Sequence, residues 1–445
     1  MGESKGDAIM RSRRLLRALV CSALVMGFVG VSTTSGATKT IDVVRVADSK
    51  TGYATFQSHN QKVVANKNGI FLTYLYAENP DTWRLARSTD GGRTFRTVYE
   101  SNTEKTRAPA METDENNCIY LTHPASDSRK TRFLRFTESN GYTAPDIDKT
   151  GGAGSASKYA MAYDRRRRQF YHATQGGRLL TFDMSGNLRS DRQLWGRSAK
   201  SGTAYPHLFV DSAGVLHHAV TTHDAGDSVP YETIRYIKSL DGGANWQAMD
   251  GTAIRIPTSP EPTGPSTMIN LGGDEISPYA TWLSSMYPKG GKIHFAYRTV
   301  NPWKPKNLGN PPGIEGRQHY MRFNERTGAR EIDSWKNAGR WQGRNITLVS
   351  VEVLIASDPQ NPSAPLYAVG RSSDGRLSAL ISRDNGSTWA DYAISEAPFK
   401  KIYALGGCRE VTRDGKVIGS FGGIPGSGGA FQVFFFSFPA CPPAR

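Results

Sequence analysis

The sequence predicts an all-β protein built as a single β-propeller. A turn octapeptide occurs three times, short β-branched and aromatic strands alternate with Gly, Asp and Asn turns from residue 40 onward, and helix-period apolar patterns are scarce. The octapeptides begin at residues 88, 239 and 382, so they lie 151 and 143 residues apart. Each interval has room for about three blades of ~40–50 residues. We therefore expect similar sheets around one axis.

The repeated octapeptide is the strongest signal for this architecture. Its copies at residues 88–95, 239–246 and 382–389 share the form Ser-x-Asp-x-Gly-x-(Thr/Asn)-(Phe/Trp). We expect the Asp to bond the backbone two residues on, the Gly to adopt a positive φ, and the aromatic ring to fold back between two strands. Each copy therefore predicts a stiff hairpin turn.

The chain divides into seven units, each with an inner strand, a polar turn and a second strand. Later units carry Pro- and Gly-rich insertions at residues 257–273 and 301–316, which are typical of binding walls on a rigid scaffold. We expect seven blades, with six as the alternative, and a strand at residues 41–46 that closes the ring by joining the last unit. The units open at Gln61, Ala108, Tyr159, Tyr205, Ile276, Leu348 and Cys408, and the first four turns are residues 68–69, 114–117, 165–168 and 212–214.

The first 37 residues have the pattern of an export signal. Four arginines between residues 11 and 17 precede an apolar run at 18–31, and Ser35-Gly36-Ala37 resembles a cleavage site. We expect a signal peptide at 1–37 and a propeller at 38–445, in a secreted or periplasmic protein without a membrane span. Three cysteines would remain after cleavage. A disulfide between Cys408 and Cys441 and three buried thiols are both open alternatives.

The charge balance predicts an anionic partner. With 55 Lys and Arg against 40 Asp and Glu, the formal net charge is +15, and a basic exported protein collects anionic polymers. No recognised nucleic-acid-binding module is present, so an acidic or sulfated polysaccharide is the expected partner. The sequence predicts no required cofactor and no metal site, because it has neither cysteine ligand spacing nor a regular Asp-rich loop; a structural Ca²⁺ and the oligomeric state stay open.

Propeller geometry selects the candidate site residues. Because the inner strand of every unit lines the central channel, polar residues at the strand openings should converge in one funnel. A second group lies at the ends of the second strands. The openings supply His59, Asn60, Arg107, Tyr205, His207, Tyr279 and Arg409, and the second-strand ends supply His123, His172, His223 and Arg298.

These residue types suit a lyase that cleaves a uronic-acid polysaccharide by β-elimination. The reaction needs a positive or donor group on the C5 carboxylate, a base for the C5 proton and an acid for the leaving oxygen. The carboxylate charge must be offset before the weakly acidic C5 proton can leave. His, Tyr, Arg and Asn can supply all three functions.

Two segments add a family resemblance. The octapeptides resemble the Asp-box, or BNR repeat, of sialidases and other secreted propellers. His59-Asn60 and the segment at 203–214, which contains Tyr205 and His207, resemble the opening strands of seven-bladed BNR lyases such as ulvan lyases and rhamnose–glucuronate lyases. The resemblance implies a lyase in which His59 and Tyr205 match the family His and Tyr, and His223 falls near its Arg. The family's second His has no counterpart here.

From this resemblance and the chemistry together, we expect Tyr205 to be the acid, or acid and base together. His59 or His207 is expected to be the base, and Arg107 or Arg409 to neutralise the carboxylate.

Two other functions compete with the lyase. A sialidase-like exo-glycoside hydrolase needs an Arg-Ile-Pro motif near the mature N-terminus, whereas residues 255–257 carry it in mid-chain. A noncatalytic glycan-binding propeller would show exposed Trp platforms instead of a His and Tyr cluster.

Overall fold

The fold is given by a computed structural model and is all-β. Its described residues form 29 strands and one short 3-10 helix, Glu138–Asn140, and the first of these strands, β1, is Lys39–Asp48. The residues that the structure describes are 38–56, 60–78, 81–101, 107–125, 129–154, 158–196, 201–224, 231–261, 263–270, 280–300, 316–333, 341, 343–349, 352–359 and 361–441.

The first three sheets are antiparallel and have four strands each, in chain order. Sheet one contains β2 (Val63–Asn66), β3 (Gly69–Ala77), β4 (Thr82–Ser88) and β5 (Arg96–Ser101). Sheet two contains β6 (Ala110–Thr113), β7 (Ile119–Pro124), β8 (Lys130–Phe136) and β9 (Ile147–Ala153). Sheet three contains β10 (Tyr159–Asp164), β11 (Gln169–Thr174), β12 (Arg178–Asp183) and β13 (Leu188–Gln193). The predicted polar turns at 68–69, 114–117 and 165–168 join the first two strands of these sheets.

The next two sheets follow the same plan with additions. Sheet four contains β14 (Ser201–Val210), β15 (Leu216–Asp224), β16 (Ile234–Ser239), β17 (Trp246–Gln247) and β18 (Ala253–Ile254), and a short β19 (Thr267–Met268) pairs with β16. Sheet five contains β20 (Ala280–Lys289), β21 (Lys292–Val300), β22 (Gly316–Asn324) and β23 (Arg330–Asp333).

The sixth sheet has seven strands that fall into two halves. Its members in chain order are β24 (Leu354–Ala356), β25 (Leu366–Arg371), β26 (Arg376–Ser382), β27 (Ala390–Gly407), β28 (Lys416–Pro425) and β29 (Gln432–Pro439), with β1 at the edge beside β29. The long β27 pairs with β26 through its first half and with β28 through its second half. The edge strand β1 is antiparallel to β29, with Val43 opposite Phe436. The predicted closing strand at 41–46 is therefore confirmed.

The first strands of successive sheets lie side by side around a ring. In this order, β2, β6, β10, β14, β20 and β24 each contact the next, and β2 also contacts β28. The ring closes where the Arg409 backbone N–H donates to the side-chain oxygen Oε1 of Gln61 at 2.7 Å. This arrangement is consistent with a β-propeller, and it places inner strands that are far apart in sequence around one channel.

Aromatic side chains fill the space between neighbouring sheets. The rings of Tyr120 and Phe170 lie 4.4 Å apart between sheets two and three, and Phe95 lies 5.1 Å from Phe435 between sheet one and the last strands. Such pairs contribute about 0.5–1.5 kcal/mol each beyond their burial. Aromatic packing between neighbouring sheets therefore stabilises the ring of sheets that surrounds the channel.

The three octapeptides all connect the third and fourth strands of their sheets or half-sheet. Asp90 accepts from the backbone N–H groups of Arg93 and Thr94, both at 3.0 Å, and Ser88 Oγ accepts from Gly92 N at 2.9 Å. The predicted bond two residues after the Asp is therefore wrong, because the carboxylate sits inside a wider loop and meets the N–H groups three and four residues on. The second interval holds two units and not three, because insertions lengthen sheet five.

The three cysteines of the described chain, Cys118, Cys408 and Cys441, all have free thiols. The alternative of a Cys408–Cys441 disulfide is thus not realised in the structure. In the described ranges, no helix is both long and apolar enough to cross a membrane.

Candidate active site

One end of the channel gathers the residues that stand at the start of the inner strands. We call it the opening end. Lys62, Arg107, Lys158 and Glu352 each precede the first strand of their sheet by one to three residues. These positions come from four different sheets, and their side chains meet only because the sheets form a ring.

The backbone at the opening end departs from regular strand geometry. The register of β14 shifts between Ala204 and His207, and Tyr205 within this bulge has a φ of 48°. Pro206 contributes to the interruption because it has no N–H to donate to the ladder. A positive φ is unusual for a bulky residue and costs on the order of 1–3 kcal/mol, a strain that clusters at functional sites. The bulge therefore re-aims Tyr205 relative to its strand neighbours.

A second inner strand repeats this feature. The register of β27 shifts between Tyr403 and Gly406, and Ala404 has a φ of 51°. The two bulges bring Tyr205 and Tyr403 to the same aromatic cluster, since both rings contact Phe56, at 6.5 and 5.9 Å between centroids. Tyr53 packs on the other side of Phe56 at 5.6 Å and is 45% exposed.

Lysine and arginine side chains lie directly on these rings. Lys158 Nζ is 4.3 Å from the ring centroid of Tyr205 and donates a hydrogen bond to Tyr231 Oη at 2.9 Å. The Arg107 guanidinium is 5.1 Å from the Tyr53 ring centroid and 3.7 Å from the Glu78 carboxylate. The opening end thus combines half-buried phenols with positive charge.

Glu352 is the acidic centre of the opening end. Its Oε2 accepts from Leu405 N at 2.9 Å, next to the β27 bulge. Burial lowers the pKa of Lys62 to about 7 and that of Arg298 to about 10, and in both cases the negative charge of Glu352 acts in the opposite direction. Lys62 and Arg298, from sheets one and five, therefore face the same carboxylate across the channel.

The phenol of Tyr205 is kept protonated. Burial raises its pKa well above the ordinary value, and a hydrogen bond with Tyr231 together with the charge of Glu352 adds to the shift. Burial and Glu352 raise the pKa of Tyr403 as well. A phenol that keeps its proton at neutral pH has that proton available for a leaving oxygen, and it cannot accept a proton from carbon until it is deprotonated. The environment suits Tyr205 as an acid and disfavours it as an unaided base.

The structure places three of the predicted site residues at the opening end and two others deeper in the channel. Arg107, Tyr205 and Arg298 lie at the opening end. Asn60 and His207 are buried further along the channel beside a small cavity of about 40 Å³. Burial lowers the pKa of His207 to about 3, so its imidazole is neutral. Its 4% exposure does not fit the predicted role of a base in contact with a polymer.

Three predicted substrate-binding residues lie elsewhere. His123 is fully buried and packs 5.4 Å from the Trp83 ring, and His172 is buried against Tyr159 with its Nδ1 2.9 Å from Thr122 Oγ1. Both fill the space between sheets, because their strand-end side chains point to the neighbouring sheet. They cannot touch a substrate, and the prediction for them is corrected.

Arg409 is the third correction. Cys408 does not open the last unit, because the inner strand is β27, which ends at Gly407. Arg409 therefore follows its inner strand and belongs to the opposite end of the channel, which we call the far end. There it pairs with Glu112 and donates from Nη2 to the Met161 carbonyl at 2.8 Å.

The far end is a cavity of about 550 Å³ built from ion pairs. Arg165 donates to both carboxylate oxygens of Glu410, at 2.5 and 3.0 Å, and lies 3.4 Å from Glu115. Burial raises the pKa of Glu112, although Arg409 opposes the shift. The predicted arginine run at 165–168 forms the turn between β10 and β11, as expected.

The remaining predicted residues are either not described by the structure or lie away from the channel. His59 and Tyr279 are not among the described residues, and neither is the His223 side chain, whose backbone lies in β15. Arg255 of the Arg-Ile-Pro tripeptide is exposed between β18 and β19, away from the inner strands.

The sequence prediction missed several residues of the opening end. The charged residues among them precede first strands, so the rule that selected Arg107 applies to them as well. The aromatic ones gave no such signal. These residues are Lys62, Glu352, Tyr53, Phe56, Tyr231 and Tyr403.

Solved structures of polysaccharide lyases share this fold. The polysaccharide lyase Uly1 matches with a TM-score of 0.60 at 12% sequence identity, over 90% of this chain and 99% of that chain. An ulvan lyase of the polysaccharide lyase family PL25 matches with a TM-score of 0.60 at 10% identity, over 88% and 95% of the two chains. A PL25 ulvan lyase bound to -[GlcA(1-4)Rha3S]- matches at 0.59 and 9% identity, with the same coverage. No protein-family model and no curated protein sequence matches the chain.

Proposed function

We propose that this protein is a seven-bladed, exported polysaccharide lyase that cleaves a uronic-acid-containing glycan by β-elimination at the opening end. One observation carries the proposal: the half-buried Tyr205, held at a φ of 48° in a bulge, presents a protonated phenol beside Lys158. The seventh blade is counted by dividing the sixth sheet at β27. Residues 1–37 act as the export signal.

Positive charge at the opening end prepares the substrate for proton loss. Arg107 and Arg298 approach the channel from sheets two and five, and Lys158 approaches from sheet three. A uronate carboxylate bound among them loses much of its negative charge, which makes its C5 proton more acidic. Arg107, one of the two predicted neutralising residues, keeps this role in the proposal, whereas Arg409 does not.

The elimination itself balances with one acid and one base. The base removes the C5 proton, the electron pair of that bond forms the C4–C5 double bond, and the bond from C4 to the glycosidic oxygen breaks. Tyr205 donates its phenolic proton to the leaving oxygen and is reprotonated from solvent. We assign the base to His59, which directly precedes Asn60 at the start of sheet one.

Exposed aromatic rings give the sugar chain a surface. Tyr53 and the half-buried Phe56, Tyr231 and Tyr403 surround Tyr205 at the opening end. The net charge of +15 favours an acidic chain. The fold shared with an ulvan lyase bound to a glucuronate–sulfated rhamnose unit supports the same substrate class, including sulfated glycans.

The test is incubation of the purified protein with a panel of uronate-containing glycans, sulfated and unsulfated. A lyase produces 4,5-unsaturated ends, which absorb in the ultraviolet, and one new reducing end for each of them. New reducing ends without unsaturation would replace the lyase with a glycoside hydrolase. Binding without either product would make the protein a glycan-binding propeller. Tyr205→Phe serves as the matched inactive variant.

A further inference from the structure

Three potential metal ligands meet between sheets four and five, outside the proposed active site. They are the Asp211 carboxylate after β14, the His217 imidazole in β15 and the Glu325 carboxylate after β22. Their ligand atoms all lie within 4.8 Å of one another. The group is roughly 20 Å along β14 from Tyr205, since six residues separate Asp211 from Tyr205 at about 3.3 Å each.

His217 is the residue that points to a ligand. Its side chain is fully buried, and among the described residues its Nε2 forms no hydrogen bond of ordinary length and angle, although the Asp211 carboxylate lies beside it and interacts with it. Nε2 lies 3.5 Å from Asp211 Oδ2, which is longer than an ordinary hydrogen bond. Two ligands of one tetrahedral zinc ion lie about 3.3–3.5 Å apart, given bond lengths of about 2.0–2.2 Å. The observed separation therefore fits a shared cation better than a direct bond.

The surrounding contacts orient the three ligands. His217 Nδ1 is 2.7 Å from Tyr236 Oη, so that oxygen can accept the Nδ1 proton and leave the Nε2 lone pair for a metal. Asp211 uses Oδ1 to accept from Val215 N at 2.8 Å, which leaves Oδ2 facing His217.

The backbone of Glu325 is anchored on both of its polar groups. Its N–H donates to the Gly291 carbonyl at 3.0 Å, and its carbonyl accepts from Lys238 Nζ at 2.6 Å. Lys238 thus bonds the backbone of Glu325, and the carboxylate extends toward the other two ligands.

We propose that Asp211, His217 and Glu325 form a divalent-cation site for zinc that links sheet four to sheet five. A triangle with sides of at most 4.8 Å has its centre within about 2.8 Å of each corner, so shifts of about 0.7 Å bring all three atoms to zinc bonding distance. One imidazole with two carboxylates suits zinc, and water completes the tetrahedron. The ion fastens two sheets and takes no part in the elimination.

The experiment measures zinc bound to the full chain after removal of metals with a chelator. Equilibrium dialysis against ZnCl2, followed by metal analysis, is expected to give about one zinc per chain. CaCl2 is expected to bind at least about tenfold more weakly, because calcium prefers an all-oxygen site. Zinc is also expected to raise Tm, since a ligand that binds the folded state stabilises it.

Two conservative variants test the assignment without opening the core. Asp211→Asn keeps an oxygen that can accept from Val215 N in place of the carboxylate Oδ1, and Glu325→Gln changes a half-buried side chain. Each variant is expected to weaken zinc binding at least about tenfold and to abolish the Tm rise. Asp250→Asn is the matched control, because Asp250 is a nearby carboxylate outside the group of three. Wild-type protein without stoichiometric zinc, or equal zinc affinity in wild type, Asp211→Asn and Glu325→Gln, would overturn the proposal. Lyase activity is not a readout here, so the result is independent of the proposed function.

Discussion

The two ends of the channel use the same kinds of side chain in opposite ways. At the far end, cations pair with carboxylates: Arg409 with Glu112 and Arg165 with Glu410. At the opening end, Lys158 and Arg107 lie on the rings of Tyr205 and Tyr53. Carboxylates are fewer there: Glu78 lies 3.7 Å from Arg107, and Glu352 faces both Lys62 and Arg298. An exposed cation–π contact contributes about 0.5–1 kcal/mol, whereas removing one partner of a buried ion pair costs about 3–5 kcal/mol.

This difference indicates that the opening end is suited to binding a ligand and the far end to stabilising the fold. A cation held on a ring can turn to an incoming carboxylate at small cost. A cation within an ion pair cannot do so without leaving its partner charge unsatisfied. The opening end is therefore suited to an anionic substrate, and the far end to holding the sheets in place. The inner strands agree, because among their described non-glycine residues the positive φ values fall at Tyr205 and Ala404, in the bulges of β14 and β27 at the opening end.

The sharpest way to break this comparison is to remove one hydroxyl at each end. Tyr205→Phe keeps the ring contacts and removes the acid, so kcat is expected to fall about 10²–10⁴-fold. Tyr163→Phe removes a far-end hydroxyl that donates to Glu115 at 3.1 Å, and its kcat should stay near that of wild type. Initial rates of unsaturated product formation measure both. Equal losses in the two variants would end the division between the ends.

The second-largest effect on catalysis is expected from removing a positive charge at the opening end. Arg107→Ala is expected to lower kcat/KM about 10–100-fold, because a hydrogen bond to a charged group contributes about 1.5–3 kcal/mol. Arg107→Lys should recover part of the loss, since it restores charge without the guanidinium fork. The comparison is made on one glycan at fixed ionic strength. Equal kcat/KM values on the uronate glycan for wild type, Arg107→Ala and Arg107→Lys would remove Arg107 from carboxylate binding.

The matching change at the far end should affect stability and leave catalysis intact. Arg409→Ala leaves Glu112, with 11% side-chain exposure, without its cation, although Gln61 Nε2 still donates to it at 2.9 Å. We expect a loss of about 3 kcal/mol in the free energy of unfolding, the low end of the range for a buried pair. Urea unfolding measures the loss, and kcat is compared well below Tm. The double variant Arg409→Met/Glu112→Leu should recover much of the stability. A large fall in kcat with unchanged stability would place Arg409 in the active site after all.

Local patterns carried most of the fold prediction. Polar turns such as 165–168 and 212–214 lie where the sequence placed them, because a hairpin is specified by its own residues. The closing strand at 41–46 was also predictable from its alternation. The error at Cys408 has a local cause as well: β27 runs through two half-sheets as one strand, and only Pro398 marks where its pairing passes from β26 to β28.

The site was less predictable because it depends on the ring. Arg107 and Tyr205 were found from their places at strand openings, whereas Glu352 acquires its role only by facing Lys62 and Arg298 from other sheets. His123 and His172 were misplaced because strand-end position does not tell whether a side chain faces the channel or the neighbouring sheet. The positive φ of Tyr205 depends on the bulge, which the sequence marks only by Pro206.

The smallest expected effect is the contribution of Lys62, at the opening end, to the pH dependence of stability. Its pKa is lowered from 10.5 to about 7 by burial, so between these values the unfolded chain binds more protons than the folded one. The free energy of unfolding should therefore rise with pH across this window through Lys62, and gain nothing from it below about pH 7. Lys62→Met should show a shallower rise than wild type in Tm measured from pH 7 to 10. Lys400→Met, at an exposed position of β27, should follow wild type. A Lys62→Met profile parallel to wild type would mean that Lys62 does not have the lowered pKa and that Arg298 alone faces Glu352 as a buried cation.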